Sequence, residues 1–232
     1  MPTEITLIGN EGFRVTTGSA RIYIDAFYSA MPGVAVPPSL AGEDVDRADL
    51  ILVTHAHWDH FAADTVAQVA NRTGATVIGA GLAINELRGR LPETALVQMD
   101  PPYNGKHSPA GAVSVSLPLA TVTALRTYHS KDHNSYLIQT PELTLFHDGD
   151  NEDTRRIDLA SLGRVDALLI GPWKGSGWVE FIERLSPARY FLMHLTNEEL
   201  DDHQAGKFLP EICDRVPPGL VMLRPGESFV FD

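Results

Sequence analysis

A chain of 232 residues, 44% hydrophobic and 21% charged, is long enough for a substantial buried core and has the composition of an ordinary globular protein rather than a disordered one. Its formal charge of −12, with no basic run, argues against nucleic acid and anionic membrane surfaces as partners. No apolar run approaches the ~20 residues of a membrane helix, the first residues lack the basic start of a secretory leader, and the single Cys213 allows no internal disulfide. The expectation is a cytoplasmic protein acting on a small molecule, with self-association left open.

In chain order, residues 5–9, 12–15 and 20–24 read as three strands at the edge of an antiparallel sheet, the third ending at Asp25. Residues 31–42, rich in Pro and Gly, form a loop that is either a pocket wall or a plain surface connection. Leu50-Ile51-Leu52-Val53 has the length of a buried strand and runs directly into Thr54-His55-Ala56-His57-Trp58-Asp59-His60. A helix over 63–71 follows, with Val66, Val69 and Ala70 on one face. Next come a strand over 75–79, a helix over 82–91 stopped by Pro92, and a strand over 95–99. His107 falls in a turn-rich segment and reads as a solvated loop residue.

A second block opens with strands over 112–117 and 122–125, which lead into Thr127-Tyr128-His129-Ser130. A hairpin of 135–139 and 143–146 ends at His147-Asp148-Gly149-Asp150-Asn151. Then follow a helix over 154–162, a strand over 167–170, a helix over 179–185 and a strand over 189–193 that delivers His194. A helix over 201–213 and strands over 221–223 and 228–231 close the chain. Strands first, then strand and helix in alternation, occurs in both 1–110 and 111–232. This order predicts a single α/β domain of two similar halves, two sheets packed together with helices outside.

Several of these strand-like runs end in, or lead into, a side chain able to bind metal: Asp25, the 55–60 cluster, the His129 and Asp150 segments, and His194. Ligands at neighbouring strand ends converge on one cleft. His55, His57 and Asp59 alternate, so an extended backbone places them on one side, and a tightening turn brings His60 beside Asp59. Imidazole and carboxylate together favour zinc, manganese, iron or nickel over calcium or magnesium.

The chain resembles the metallo-β-lactamase-fold superfamily of metal-dependent hydrolases, whose signature HxHxDH is matched by His55, His57, Asp59 and His60. The later motifs are matched by His129, by Gly149-Asp150 and by His194, and the acidic residue preceding the signature by Asp25. The branch it looks most like is that of L-ascorbate-6-phosphate lactonase. The resemblance implies the four-layer αβ/βα sandwich and a pair of divalent ions, zinc first, with manganese or iron(II) as alternatives. One ion would be held by His55, His57 and His129, the other by Asp59, His60 and His194, with Asp150 bridging. A hydroxide shared by two such ions is nucleophilic at neutral pH, which requires neither a serine nor a cysteine. Asp59 and Asp150 thereby enter the catalytic set.

The residues leave some alternatives open. Asp148 lies two before Asp150 and competes for the bridge. His133 competes with His129 as ligand, and is otherwise a substrate contact or proton donor. Asp25 is either an anchor for a ligand imidazole or a strand-end cap. Trp173, Lys174 and Trp178 offer either aromatic walls and a cation to an anionic substrate or a packed corner. His147 and His203 read as structural or surface residues. The expected activity is hydrolysis of a lactone or other carboxylic ester, with a phosphodiesterase as the alternative and an iron redox protein behind both. His57, where the oxygen-reducing diiron branch carries Glu, argues against the last.

Overall fold

The computed structural model describes residues 2–30, 35–105 and 107–231. One sheet contains β1 (Thr3–Gly9), β2 (Gly12–Thr16), β3 (Arg21–Ile24), β4 (Leu50–Val53), β5 (Thr76–Gly79) and β6 (Leu96–Gln98). The other contains β7 (Ala112–Ser116), β8 (Thr121–Arg126), β9 (Asn134–Gln139), β10 (Thr144–His147), β11 (Ala167–Ile170), β12 (Arg189–Leu192) and β13 (Leu220–Val221). The last strand, β14 (Ser228–Phe231), crosses back and pairs antiparallel with β1, Ile5 opposite Phe229. The spatial orders are therefore β14-β1-β2-β3-β4-β5-β6 and β13-β12-β11-β10-β9-β8-β7.

Strands β4 and β11 are apolar at every position because both faces are buried, and the period of two sends alternate residues into different layers. Leu50 and Leu52 point between the sheets with Ile5, Phe13, Ile22, Tyr136 and Leu169. Ile51 and Val53 point outward under α1 (Ala63–Thr73) and α2 (Gly81–Leu87), against Val66, Val69 and Ile84. In the second sheet Phe146, Leu168 and Tyr190 face outward, under α3 (Leu159–Leu162), α4 (Trp178–Leu185), α5 (Asn197–Gln204) and α6 (Phe208–Ile212). The result is the four-layer sandwich expected from the sequence.

Local differences have local causes. The helix expected over 154–162 is a tight turn at Thr154–Arg156 followed by α3, because the Asp158 carboxylate accepts from Ala160 N and starts a new helix. The helix expected over 201–213 begins earlier, at a capping box of Thr196 and Glu199, and is interrupted before α6 at Gly206, with φ at +72°. The first three strands are not the sheet edge, since β14 lies outside β1. Of the loop over 31–42, residues 31–34 lie outside the described residues. The rest is tied to β1 by Ser39 N donating to Ile8 O at 2.7 Å, and contributes nothing to the lining of the cleft over the metal-competent cluster. Among the described residues no helix is long and apolar enough to cross a membrane.

The two sheets deliver their loops to one edge. β1, β3 and β4 run in one direction, and in the other sheet β8, β10, β11 and β12 do likewise. Their C-terminal ends carry Glu11, Asp25, the 55–60 segment, His129, Asp150, Trp173 and His194, the end at which ligands bind in such sheets.

Candidate metal centre

Directly after β4 the chain bends at Thr54 and then turns over 58–60, with His60 N and Phe61 N both donating to His57 O, at 3.1 and 2.9 Å. This turn brings Asp59 and His60 together. His55, His57, His129 and Asp150 present ligand atoms all within 4.8 Å of one another, and so do Asp59, His60 and His194. Asp150 lies between the two groups. Its Oδ2 stands 3.8 Å from His55 Nε2, 3.3 Å from His129 Nε2 and 3.4 Å from His60 Nε2, while its Oδ1 is 3.7 Å from His194 Nε2. Asp59 Oδ2 stands 3.8 Å from His60 Nε2 and 3.6 Å from His194 Nε2.

The far side of three imidazoles is anchored, which fixes the nitrogen left free. Asp25 accepts from Thr54 N at 2.8 Å, from Thr54 Oγ1 at 2.5 Å and from His60 Nδ1 at 3.0 Å. Since the Thr54 hydroxyl donates to Asp25, its oxygen accepts from His55 Nδ1, at 3.0 Å. Glu152 takes the Nδ1 proton of His129 at 2.9 Å. Each ring then aims its Nε2 inward, that of His129 also lying 3.4 Å from His57 Nδ1. Buried His55 Nε2, His60 Nε2 and Asp150 Oδ1 have no hydrogen-bond partner, although buried polar atoms almost always have one. Orphaned acceptors converging on one point fit a cation. Asp25 thus anchors two histidines, one directly and one through Thr54, at a backbone φ of +45° that only a well-supported residue sustains.

The electrostatics carry the same signature. Burial, helped by the neighbouring imidazoles, holds His55 well below the usual histidine range, so it is neutral and free to donate a lone pair. Against the cost of its own burial, the close contact with His60 and the charge of that ring hold Asp150 well below the usual carboxylate range. Burial lowers the pKa of His60, but the charge of Glu11, the contact with and charge of Asp150 and the hydrogen bond to Asp25 overcome it and raise it.

Asp150 is among the convergent ligand atoms and Asp148 is not. Asp148 is buried behind the site, accepting from Asn151 Nδ2 at 3.0 Å, and burial pushes its carboxyl up to about 8. Asn151 ties two loops together, since its Oδ1 also accepts from Tyr128 N and Asp153 N. His133 is placed differently from the expectation of a substrate contact or proton donor. It is fully buried, its Nε2 accepts from Asp150 N at 2.9 Å, and its Nδ1 donates to Thr127 Oγ1 at 2.8 Å. Both nitrogens are therefore committed to the protein, and what His133 does is fix the Asp150 backbone. Gly149 makes room for it: a Cβ there would collide with His133 Nε2, and φ is +59°.

A cleft of about 500 Å³ opens over the cluster, lined by His57, Asp59, His129, Asp150, His194, Glu152 and the 173–175 loop. The Trp173 and His194 rings meet at 64° with their centroids 4.8 Å apart, and Lys174 is the lysine of the lining. Trp178 is instead part of the core beneath α4. His147 is buried, donating from Nε2 to Glu11 O at 3.1 Å. His107 lies exposed in its loop and His203 half-buried in α5, both away from the cleft.

Glu152 and Glu11 escaped the sequence reading. Glu11, in the β1–β2 turn, is fully buried, with Oε2 3.5 Å from His60 Nδ1. Nothing in its short turn distinguishes it from a surface glutamate. Only the fold carries it under the cluster.

The Lactamase_B_2 family, described as the beta-lactamase superfamily domain, matches residues 20–195 of this chain. A UPF0173 metal-dependent hydrolase of Thermococcus kodakarensis is 27% identical over 235 residues, covering 97% of this chain and 98% of its own. Among solved structures, Igni18, a metallo hydrolase from Ignicoccus hospitalis, superposes with a TM-score of 0.67 at 17% identity over 100% of this chain and 99% of its own. The metallo-beta-lactamase fold protein YhfI from Bacillus subtilis gives 0.65 at 15% identity, covering 99% of each chain. At such identities the structures attest the fold alone. The family match, spanning the segment from β3 to just past His194, shows that the chain belongs to the beta-lactamase superfamily and has the metallo-β-lactamase fold.

Proposed function

We propose that the chain is a metal-dependent hydrolase that holds two divalent ions and opens a lactone or other carboxylic ester. The observation that carries this reading is the convergence of buried, unpartnered Nε2 and carboxylate atoms from both sheets on one point beneath a cleft. His55, His57 and His129 would hold one ion and Asp59, His60 and His194 the other, with Asp150 in reach of both. Zinc is the first expectation, and manganese and iron(II) suit the same donors. When bound, such ions lower the pKa of water toward neutrality and stabilise charge on the attacked oxygen.

The protein's own part is orientation. Asp25, Thr54 and Glu152 keep the imidazoles in one tautomer, and His133 keeps Asp150 in place. The 173–175 loop walls the cleft, whose size suits a small molecule. Lys174 supports a second reading, a phosphodiesterase, because its ammonium would meet an anionic substrate there. Metal analysis of the chain purified without chelator, with hydrolysis assays on a lactone panel and on bis-p-nitrophenyl phosphate, tests both. About two ions per chain and lactone turnover abolished in His57→Ala are expected. Turnover of the phosphodiester alone would select the second reading, and a chain that takes up no ion would sink both.

A further inference from the structure

The β1–β2 turn is built into the centre rather than placed beside it. Asn10, at φ +50°, donates from Nδ2 to Asp59 O at 3.0 Å and accepts from His194 N at 3.0 Å. His147 donates to the Glu11 carbonyl. Behind the turn, a Cβ on Gly12 would lie 2.8 Å from Asp25 O, so the backbone has no room to withdraw. The turn is thus clamped by both sheets with the Glu11 side chain held inside.

That side chain is 0% exposed and neither of its oxygens has a hydrogen-bond partner. His60 Nδ1 stands 3.5 Å away and already serves Asp25 at 3.0 Å. A carboxylate buried without donors is costly unless a cation compensates it. Glu11, Asp150 and His194 present ligand atoms all within 4.8 Å of one another.

We infer that Glu11 is a further carboxylate ligand of the ion held by Asp59, His60 and His194, reaching it from the buried side. This assignment rests on the metal-centre reading proposed above. It makes the two positions unlike. The one bounded by His55, His57 and His129 is rich in nitrogen and suits zinc. The other gains a third carboxylate, after Asp59 and Asp150, and suits manganese or iron(II), which favour oxygen donors more strongly. A mixed pair of ions then follows from the donor sets.

The test is calorimetric titration of chelator-stripped protein with Zn²⁺ and with Mn²⁺, wild type against Glu11→Gln, with thermal unfolding in chelator as the control for folding. Glu11→Gln should bind the first ion as wild type does and lose the second, with Mn²⁺ affinity at that position falling at least ~10-fold. In chelator the variant should still unfold in one cooperative transition, which shows that it folds. If Glu11→Gln does not fold, Glu11→Leu, similar in volume and uncharged, gives the same reading. Two ions bound by the variant with wild-type affinity would overturn the ligand assignment, leaving Glu11 a prop for His60. No ion bound by wild type would instead remove the metal centre itself.

Discussion

A buried histidine with both nitrogens engaged acts through what it holds, and His133 holds the backbone of Asp150. Replacing it by Ala strands the Asp150 N–H, at a cost of about 1–3 kcal/mol, and loosens the carboxylate that faces His55, His60, His129 and His194. His133→Ala should therefore lower the unfolding temperature in chelator and weaken metal uptake by about 10–100-fold, while any residual activity keeps the pH profile of wild type. A proton donor would behave otherwise: its loss would remove one limb of that profile and leave metal affinity intact. His55, His57, Asp59 and His60 were legible in the sequence because four ligands fall within six residues after an apolar strand. Glu11 and the role of His133 were not, because one matters only through a turn folded beneath His60 and the other through a hydrogen bond to a residue 17 positions away.

Among the elements, the strands were legible and the helix ends were not. A run such as Ala167-Leu168-Leu169-Ile170 declares burial on both faces, whereas the 201–213 helix is divided by the conformation of one glycine. Strand β12 also carries an alkaline sensitivity. Tyr190 donates to Pro217 O at 2.8 Å, and burial, with Cys213 nearby, pushes its phenol up to about 12. An unfolded tyrosine titrates near ~10, so the folded state keeps a proton that the unfolded chain has lost. The stabilisation is complete below pH ~10 and disappears as pH rises through about 12. Urea unfolding near pH ~8 and near pH ~11 should show wild type losing more stability on the alkaline step than Tyr190→Phe. At the lower pH the variant is weaker by about 1 kcal/mol, the worth of one hydrogen bond. Equal losses in both proteins would assign the sensitivity elsewhere.

For the molecule as a whole, the strands-first order of each block foretold two sheets with helices outside, but a short closing strand, Ser228-Phe229-Val230-Phe231, does not say which sheet it joins. It joins the first, covering the edge of β1. A chain ending at residue 227 should leave the β1 edge unpaired, unfold at lower temperature and self-associate with increasing concentration, as light scattering would show. A truncated chain that stays monomeric and equally stable would mean that β14 contributes little. The placement of the ligands has another consequence. Glu11, Asp25, His55, His57, Asp59 and His60 precede the exposed Tyr103-Asn104 segment, and His129, Asp150 and His194 follow it, so neither fragment of a chain nicked there carries a complete donor set. Reunion of the two fragments would be announced by uptake of the ion, which makes the nicked protein a split sensor for its own reassembly.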